Sequence, residues 1–261
     1  MEPSPQPSSP AVPIAIICGF AMIAIAIFFT SSHKDTEDTS ATPTTQTTNS
    51  TPRAVSKNDY ILGNPNAPIV MVEYSDYDCP FCKQYHTTLH QIMDEYGITG
   101  QVAWVYRQFP LAQLHPNSPM ISKAALCVGK IGKNDAFWKF TKTVFDSRDV
   151  DEATNVTKLP EFAEEAGVSR SAYFECMDDS EMEEEVKLQI TDGFNSGARG
   201  TPFTVLIVGN QQAVINGAQP YDVVKGIVKN LVDQLDGTFD PETETVETQV
   251  PTNEYGAPIL E

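Results

Sequence analysis

The sequence predicts an α/β domain in which a run of helices separates two groups of strands. Three observations carry that prediction. The first is a near-continuous apolar stretch, Ile69–Tyr74, of the kind a central strand buried on both faces requires. The second is the handover after it. Asp76-Tyr77-Asp78-Cys79-Pro80-Phe81-Cys82-Lys83 opens an amphipathic segment that continues to about Tyr96 and leads to a second strand-like stretch, Gln101–Phe109. Two such strands joined through a helix make a right-handed βαβ unit. The third is that Ser118–Ala198 shows helical periodicity and few strand signals, and strands return only after Gly200.

In chain order, residues 1–13 form a short Pro/Ser-rich segment, and Ile14–Phe29 is apolar without a charge. With its flanks, Ala11–Thr30 has the length needed to span a bilayer. A secretory signal peptide competes for this stretch. No basic residue precedes the apolar run and no small-x-small site follows Phe29, so the expectation is an uncleaved transmembrane anchor over 14–30. Lys34 lies beyond it and the N-terminal flank has no Lys or Arg, so charge does not orient the span. Residues 31–59 are rich in Thr, Ser and Pro and read as a disordered tether. Residues 236–261 carry acids such as Asp236, Glu242 and Glu254 with no basic residue, an acidic disordered tail. The net charge of −18 over 261 residues argues against a nucleic-acid partner.

Between tether and tail, residues 60–235 are enough for one core. Within the helical middle the expected helices are Ser118–Val128, Asp135–Phe145, Leu159–Ala166, Arg170–Met177 and Met182–Ser196. Breaks are expected at Gly129, Gly132, Pro160, Gly167 and Asp178-Asp179. Phe203–Val208 and Ala213–Ile215 flank a turn at Gly209-Asn210, and Tyr221–Leu235 repeats apolar residues at helical spacing to close the domain.

The chemistry lies in the Cys-x-x-Cys pair. At a helix N-terminus, Cys79 meets unpaired N–H groups and the positive end of the dipole, which favour a thiolate; Cys82, one turn further in, can close a ring with it. A zinc site is the alternative. It needs further ligands, and only His86, four residues past Cys82, offers a Cys–Cys–His cluster. A second motif favours redox chemistry: Gly200-Thr201-Pro202 precedes a β-branched and aromatic run, and Pro202, lacking a donor, can only open that strand. A cis Thr201–Pro202 bond would hold the start of that strand near Cys79 and leave backbone groups free for an extended substrate.

Glu73-Tyr74-Ser75-Asp76-Tyr77-Asp78-Cys79-Pro80-Phe81-Cys82 together with Gly200-Thr201-Pro202 resembles the DsbA-like branch of the thioredoxin-fold thiol–disulfide oxidoreductases. Leu62-Gly63-Asn64-Pro65-Asn66-Ala67-Pro68 before the first strand, and Phe109-Pro110-Leu111 with His115-Pro116 after the second, are similar too. The resemblance covers about Tyr60 to Leu235. It implies a thioredoxin fold with an inserted helical subdomain (about 118–198), here preceded by a transmembrane helix. Cys79 and Cys82 would be the catalytic pair, and Thr201, Pro202, Pro80 and Phe81 would contact substrate. Glu73 interrupts an apolar strand six residues before Cys79, and related proteins carry an acid at this place. It is expected beneath the pair, with a raised pKa, as a proton relay for Cys82; a solvent-facing Glu73 is the alternative. Lys83 would support the Cys79 thiolate, and Asp76 and Asp78 would oppose it. Cys127 and Cys176 read as two buried thiols on apolar helix faces. Some DsbA-like proteins carry a second disulfide in the helical region, and by that resemblance the two would pair in an oxidising compartment. His115 is expected to be structural, and Trp104, Phe137 and Trp138 to be core residues. Asn155-Val156-Thr157 matches a glycosylation acceptor, a tripeptide common by chance.

The expected function is therefore a single-pass cell-membrane protein with an extracytoplasmic domain that donates disulfides to reduced exported polypeptides. A membrane redox partner would recycle it, with no metal or organic cofactor. A reductase or isomerase on the same fold is the second hypothesis. A non-catalytic tethered binding module, with Cys79–Cys82 as a fixed bridge or metal clip, is the third.

Overall fold

The computed structural model describes residues 51–237. In chain order its elements are β1 (Tyr60–Gly63), β2 (Ile69–Ser75), α1 (Pro80–Ile92), β3 (Val102–Gln108), α2 (Ser118–Asp146), α3 (Leu159–Glu165), α4 (Arg170–Asp178), α5 (Glu181–Asn195), β4 (Phe203–Val208), β5 (Gln211–Asn216) and α6 (Tyr221–Leu235). The five strands form one sheet in the order β1-β3-β2-β4-β5. The central strand β2 runs parallel to β3 and antiparallel to β4, with Glu73 level with Tyr106 on one side and Thr204 on the other. This is a thioredoxin-like sheet whose halves are separated by helices α2–α5, as the strand and helix patterning predicts.

Because β2 is covered on both faces, its two side-chain sets enter different clusters. Ile69 and Met71 join a large core with Cys82, Tyr85, Leu89, Trp104, Tyr106 and the inner face of α6. Val72 and Tyr74 join Val105, Phe109, Phe203 and Val205 on the opposite side. Glu73 and Ser75 alternate with Val72 and Tyr74, so they continue the row of Met71 toward α1 and are themselves fully buried. The apolar patterning of β2 thereby places one carboxyl group below the N-terminal turn of α1.

Three expectations change. Strand β1 was anticipated only as a lead-in; it is a four-residue edge paired antiparallel to β3, too short for periodicity to reveal. The two helices expected over Ser118–Val128 and Asp135–Phe145 are present, joined as α2 across a kink, but the helix runs on through Gly129 and Gly132 before it breaks. Both glycines serve close packing: a Cβ at Gly129 would lie 2.2 Å from the Tyr60 ring, and one at Gly132 would lie 2.4 Å from the Ala136 Cβ. The kink falls one residue later at Lys133, at φ 68° and ψ −165°, a region that β-carbon sterics disfavour. Finally, residues 51–59, read as tether, are packed onto the domain. The Arg53 N–H donates to Asp192 Oδ1 at 2.7 Å, Arg53 Nη2 donates to Glu185 Oε1 at 2.5 Å, and Arg107 Nε donates to Asp59 Oδ1 at 2.9 Å. Composition cannot see these partners, because they lie 48 or more residues away.

The segment 1–13, the anchor 14–30, the tether up to residue 50 and the tail beyond residue 237 lie outside the described residues. Among the described residues no helix is long and apolar enough to cross a membrane.

Candidate active site

Cys79 is the N-cap of α1, with Pro80 at the first helical position, where its missing N–H costs nothing. The thiols of Cys79 and Cys82 are both free and both buried. Cys79 Sγ lies 3.5 Å from the Thr201 carbonyl oxygen, and the Thr201–Pro202 bond is cis, so the loop before β4 reaches the reactive turn. Phe81 projects to solvent, 59% exposed, beside a half-buried Pro80. The structure therefore assembles Cys79, Cys82, Pro80, Phe81, Thr201 and Pro202 at one site.

The two thiols are electrostatically unlike. Cys79 is pulled down to about 6, chiefly by the hydrogen bond it accepts from Cys82; burial opposes this, and the N–H groups of Cys82 and Phe81 and the Thr201 side chain add to it. Cys82 is held well above its ordinary value by burial first, then by the bond and charge of Cys79 and the charge of Glu73. Deprotonation of the reduced pair thus concentrates on Cys79.

Glu73 lies where the strand pattern predicts. Its Oε2 accepts from Trp104 Nε1 at 2.9 Å, and its Oε1 has no hydrogen-bond partner among the described residues. Burial raises its pKa to about 7, against the lowering effect of Ser75 and Trp104; the Cys79 charge raises it further. Around it sit other buried groups lacking a well-formed bond among the described residues: the hydroxyls of Ser75, Tyr85, Tyr106 and Thr204, and the Gln108 amide. The register explains this polar layer, since Thr204, Glu73 and Tyr106 are lateral neighbours, as are Ser75 and Gln108.

The remaining expectations are met in part. Lys83 donates from Nζ to the Phe145 carbonyl at 2.5 Å, away from Cys79. Asp76 is a structural knot: its carboxylate accepts from the N–H of Asp78 (2.8 Å) and Leu111 (2.7 Å), from His115 Nδ1 (2.9 Å) and from the Ser118 hydroxyl. His115 is thereby a buttress of the turn. His86 packs at a tilt against the Phe145 ring with its Nε2 3.1 Å from His90 Nε2, and burial lowers its pKa; no ligand cluster with the cysteines is assembled among the described residues. Among the described residues no three His, Cys, Asp or Glu groups gather to hold a metal. Cys127 of α2 and Cys176 of α4 are joined as a disulfide with their Cα atoms 5.7 Å apart. Sequence reasoning missed Arg148, whose side chain is 2% exposed and which donates to the carbonyls of Tyr77 and Cys79. A lone Arg in a polar loop, after a helix C-terminus, gives no signal of burial.

Comparison with known proteins follows the same lines. A family model described as "Thioredoxin" matches residues 55–230. The structure of α-DsbA1 from Wolbachia pipientis is similar, with a TM-score of 0.60 and 21% identity over 71% of this chain and 96% of that one. A Rickettsia bellii protein, named provisionally as a protein-disulfide oxidoreductase, is 27% identical over 133 residues, 50% of this chain and 49% of its own. The Na(+)/H(+) antiporter NhaA 1 of Mycolicibacterium gilvum is 30% identical over 93 residues, 36% of this chain and 14% of the antiporter. The chain thus spans less than half the length of either relative. The model match over most of the domain, with DsbA proteins as structural neighbours, places this chain in the thioredoxin family, with a DsbA-like fold.

Proposed function

We propose that this protein is a membrane-tethered, extracytoplasmic thiol–disulfide oxidoreductase that donates a disulfide to reduced exported polypeptides. The observation that carries this reading is the asymmetry of the pair: a Cys79 thiol pulled down to about 6 beside a Cys82 thiol held far up, over a carboxyl group near 7. A dithiol whose reduced form is stabilised in this way is a strong oxidant.

A substrate thiolate attacks Cys79 Sγ, the Cys79–Cys82 bond breaks, and Cys82 takes a proton from Glu73. The substrate's second thiolate then attacks its own sulfur in the mixed disulfide, and Cys79 leaves as a thiolate. Two electrons pass to the protein, and the two substrate protons end on Cys82, by way of Glu73, and in solvent. Thr201 and Pro202 hold the substrate backbone, and Pro80 and Phe81 offer it apolar surface. A membrane redox partner reoxidises the pair. The apolar stretch Ala11–Thr30 supports the tethered, extracytoplasmic placement.

The test is the equilibrium of the full chain with glutathione, each cysteine followed by alkylation and mass spectrometry. A potential of about −120 mV for Cys79–Cys82 means a donor of disulfides; about −270 mV means a reductase. No exchange at Cys79 would overturn the catalytic reading.

A further inference from the structure

Three carboxyl groups crowd the reactive pair: Glu73 below Cys82, and Asp76 and Asp78 in the turn before Cys79. Asp76 and Asp78 are buried, and Asp78 accepts from the Thr154 N–H at 2.8 Å. Like charges so close to a thiolate oppose it. From α1, Lys83 turns away to Phe145 and Phe81 is neutral; in the loop before β4, Thr201 faces Cys79 while Arg199 donates to the carbonyls of Phe194 and Ala198; His115 is bonded to Asp76. None of these elements brings a cation to Cys79.

The segment after α2 does. Arg148 donates from Nη2 to the carbonyls of Tyr77 and Cys79 at 2.7 and 3.1 Å, and from Nε to Tyr77 at 3.1 Å. Its Nη1 donates to the carbonyls of Asp149, Val150 and Glu152 at 3.1, 2.9 and 3.0 Å. Its Nε is 3.9 Å from Asp78 Oδ1. A planar fork with every nitrogen bonded is fixed in place, and a guanidinium keeps its charge at any working pH. Burial draws the Arg148 pKa down, while Asp78, Cys79, Asp76 and Cys82 raise it, in that order.

We propose that Arg148 is a positioning residue of the redox site. It holds the Cys79 carbonyl at the start of α1, and its charge offsets Asp76 and Asp78 so that the reduced pair keeps a Cys79 thiolate. The inference rests on the disulfide-exchange reading above. Reduction by glutathione shows where the charge enters. One glutathione thiolate attacks Cys79, the Cys79–Cys82 bond breaks and Cys82 is protonated. A second attacks the glutathione sulfur of the mixed disulfide, releasing glutathione disulfide and the Cys79 thiolate. The disulfide and two glutathione thiols thus become one thiolate, one thiol, glutathione disulfide and a proton in solvent. Only the reduced side carries the charge that a cation favours.

The experiment compares the full chain with its Arg148→Gln and Arg148→Lys variants, by glutathione equilibrium and by titration of thiolate ultraviolet absorbance. Arg148→Gln is expected to shift the equilibrium about tenfold toward the disulfide and to raise the Cys79 titration midpoint by about one pH unit. Arg148→Lys, which keeps charge but loses the fork, should recover part of both. A folded Arg148→Gln with wild-type equilibrium and titration overturns the proposal, whatever its loss of unfolding stability. If Arg148→Gln does not fold, Asp78→Asn decides: a lower Cys79 midpoint supports the proposal, and an unchanged one overturns it. If the wild type itself does not exchange with glutathione, the function reading fails and the thiolate titration alone judges Arg148.

Discussion

The indole Nε1 of Trp104 donates to Glu73 Oε2 at 2.9 Å, and it is the one hydrogen bond this fully buried carboxyl group makes among the described residues. Trp104 is held in turn by the rings of His86, His90 and Trp138. The indole and the neighbouring Ser75 hydroxyl, both neutral, stabilise a carboxylate less than water does, so burial dominates and the pKa rises to about 7.

That value sets a pH dependence for stability. Unfolded, the group titrates near the ordinary glutamate value of 4.5; folded, it is pushed up to about 7. Between the two the folded state holds the extra proton, so the contribution of Glu73 to stability falls as pH rises through that window. Glu73→Gln removes the titration. The difference in unfolding free energy, variant minus wild type, should therefore grow by about 2–3 kcal/mol in favour of the variant between pH 5 and pH 8. Urea unfolding at both pH values measures it, with Cys79–Cys82 kept as the disulfide in both chains so that Cys79, whose charge acts on Glu73, does not titrate in the same window. A pH-independent difference would refute the raised pKa. Exchange at the pair should slow in the same variant, because Cys82 loses its proton partner.

The low Cys79 pKa rests first on the thiol of Cys82. Cys82→Ala removes that donor and leaves the helix terminus intact, so the alkylation rate of Cys79 should reach half-maximum at a higher pH than in the reduced wild type. Iodoacetamide labelling across pH 4 to 10 would read the midpoint. An unmoved midpoint would assign the whole effect to the backbone N–H groups, Thr201 and Arg148.

Most of what positions the site was legible in local pattern. The apolar run of β2, the Pro at the start of α1 and the Thr-Pro before β4 each constrain their own segment, and together they bring Cys79, Cys82, Glu73 and Pro202 to one place. What was not legible depends on pairing across distance. Arg148, Arg107 and the Asp59–Arg107 bond look like solvated charges in the sequence. Lys83 is adjacent to Cys82 in the chain, yet its long stem carries its charge to Phe145. Gly129 reads as a helix breaker by propensity, but the Tyr60 ring needs the space that its missing Cβ leaves.

The Arg107 knot makes a prediction about where the domain begins. Its guanidinium is fully buried between Asp59 (Nε to Oδ1, 2.9 Å) and Asp192 (Nη1 to Oδ2, 2.7 Å), with the Tyr74 hydroxyl donating to Asp192 at 2.5 Å. Removing one partner of a buried ion pair leaves a charge uncompensated, at a cost of about 3–5 kcal/mol. Asp59→Ala should lose stability on that scale, and a chain started at Tyr60 should lose at least as much relative to one started at residue 51. Equal urea midpoints for the two starts would mean that residues 51–59 are dispensable.

The Cys127–Cys176 bridge should matter for stability and leave the chemistry alone. It closes a sequence separation of 49 residues, so its removal in Cys127→Ala/Cys176→Ala should cost about 2–4 kcal/mol in the loop-entropy account. The same helix α2 also reaches the site floor, where Thr141 lies 2.8 Å from the Tyr77 hydroxyl. Along the helix, however, Cys127 and Thr141 are separated by roughly 20 Å and by the kink at Lys133. Loosening at the Cys127 end is therefore expected to stop short of Tyr77. The double variant should unfold at lower urea while its Cys79–Cys82 equilibrium with glutathione stays at the wild-type value. A shifted equilibrium would instead mean that α2 transmits strain through its kink to the turn before Cys79.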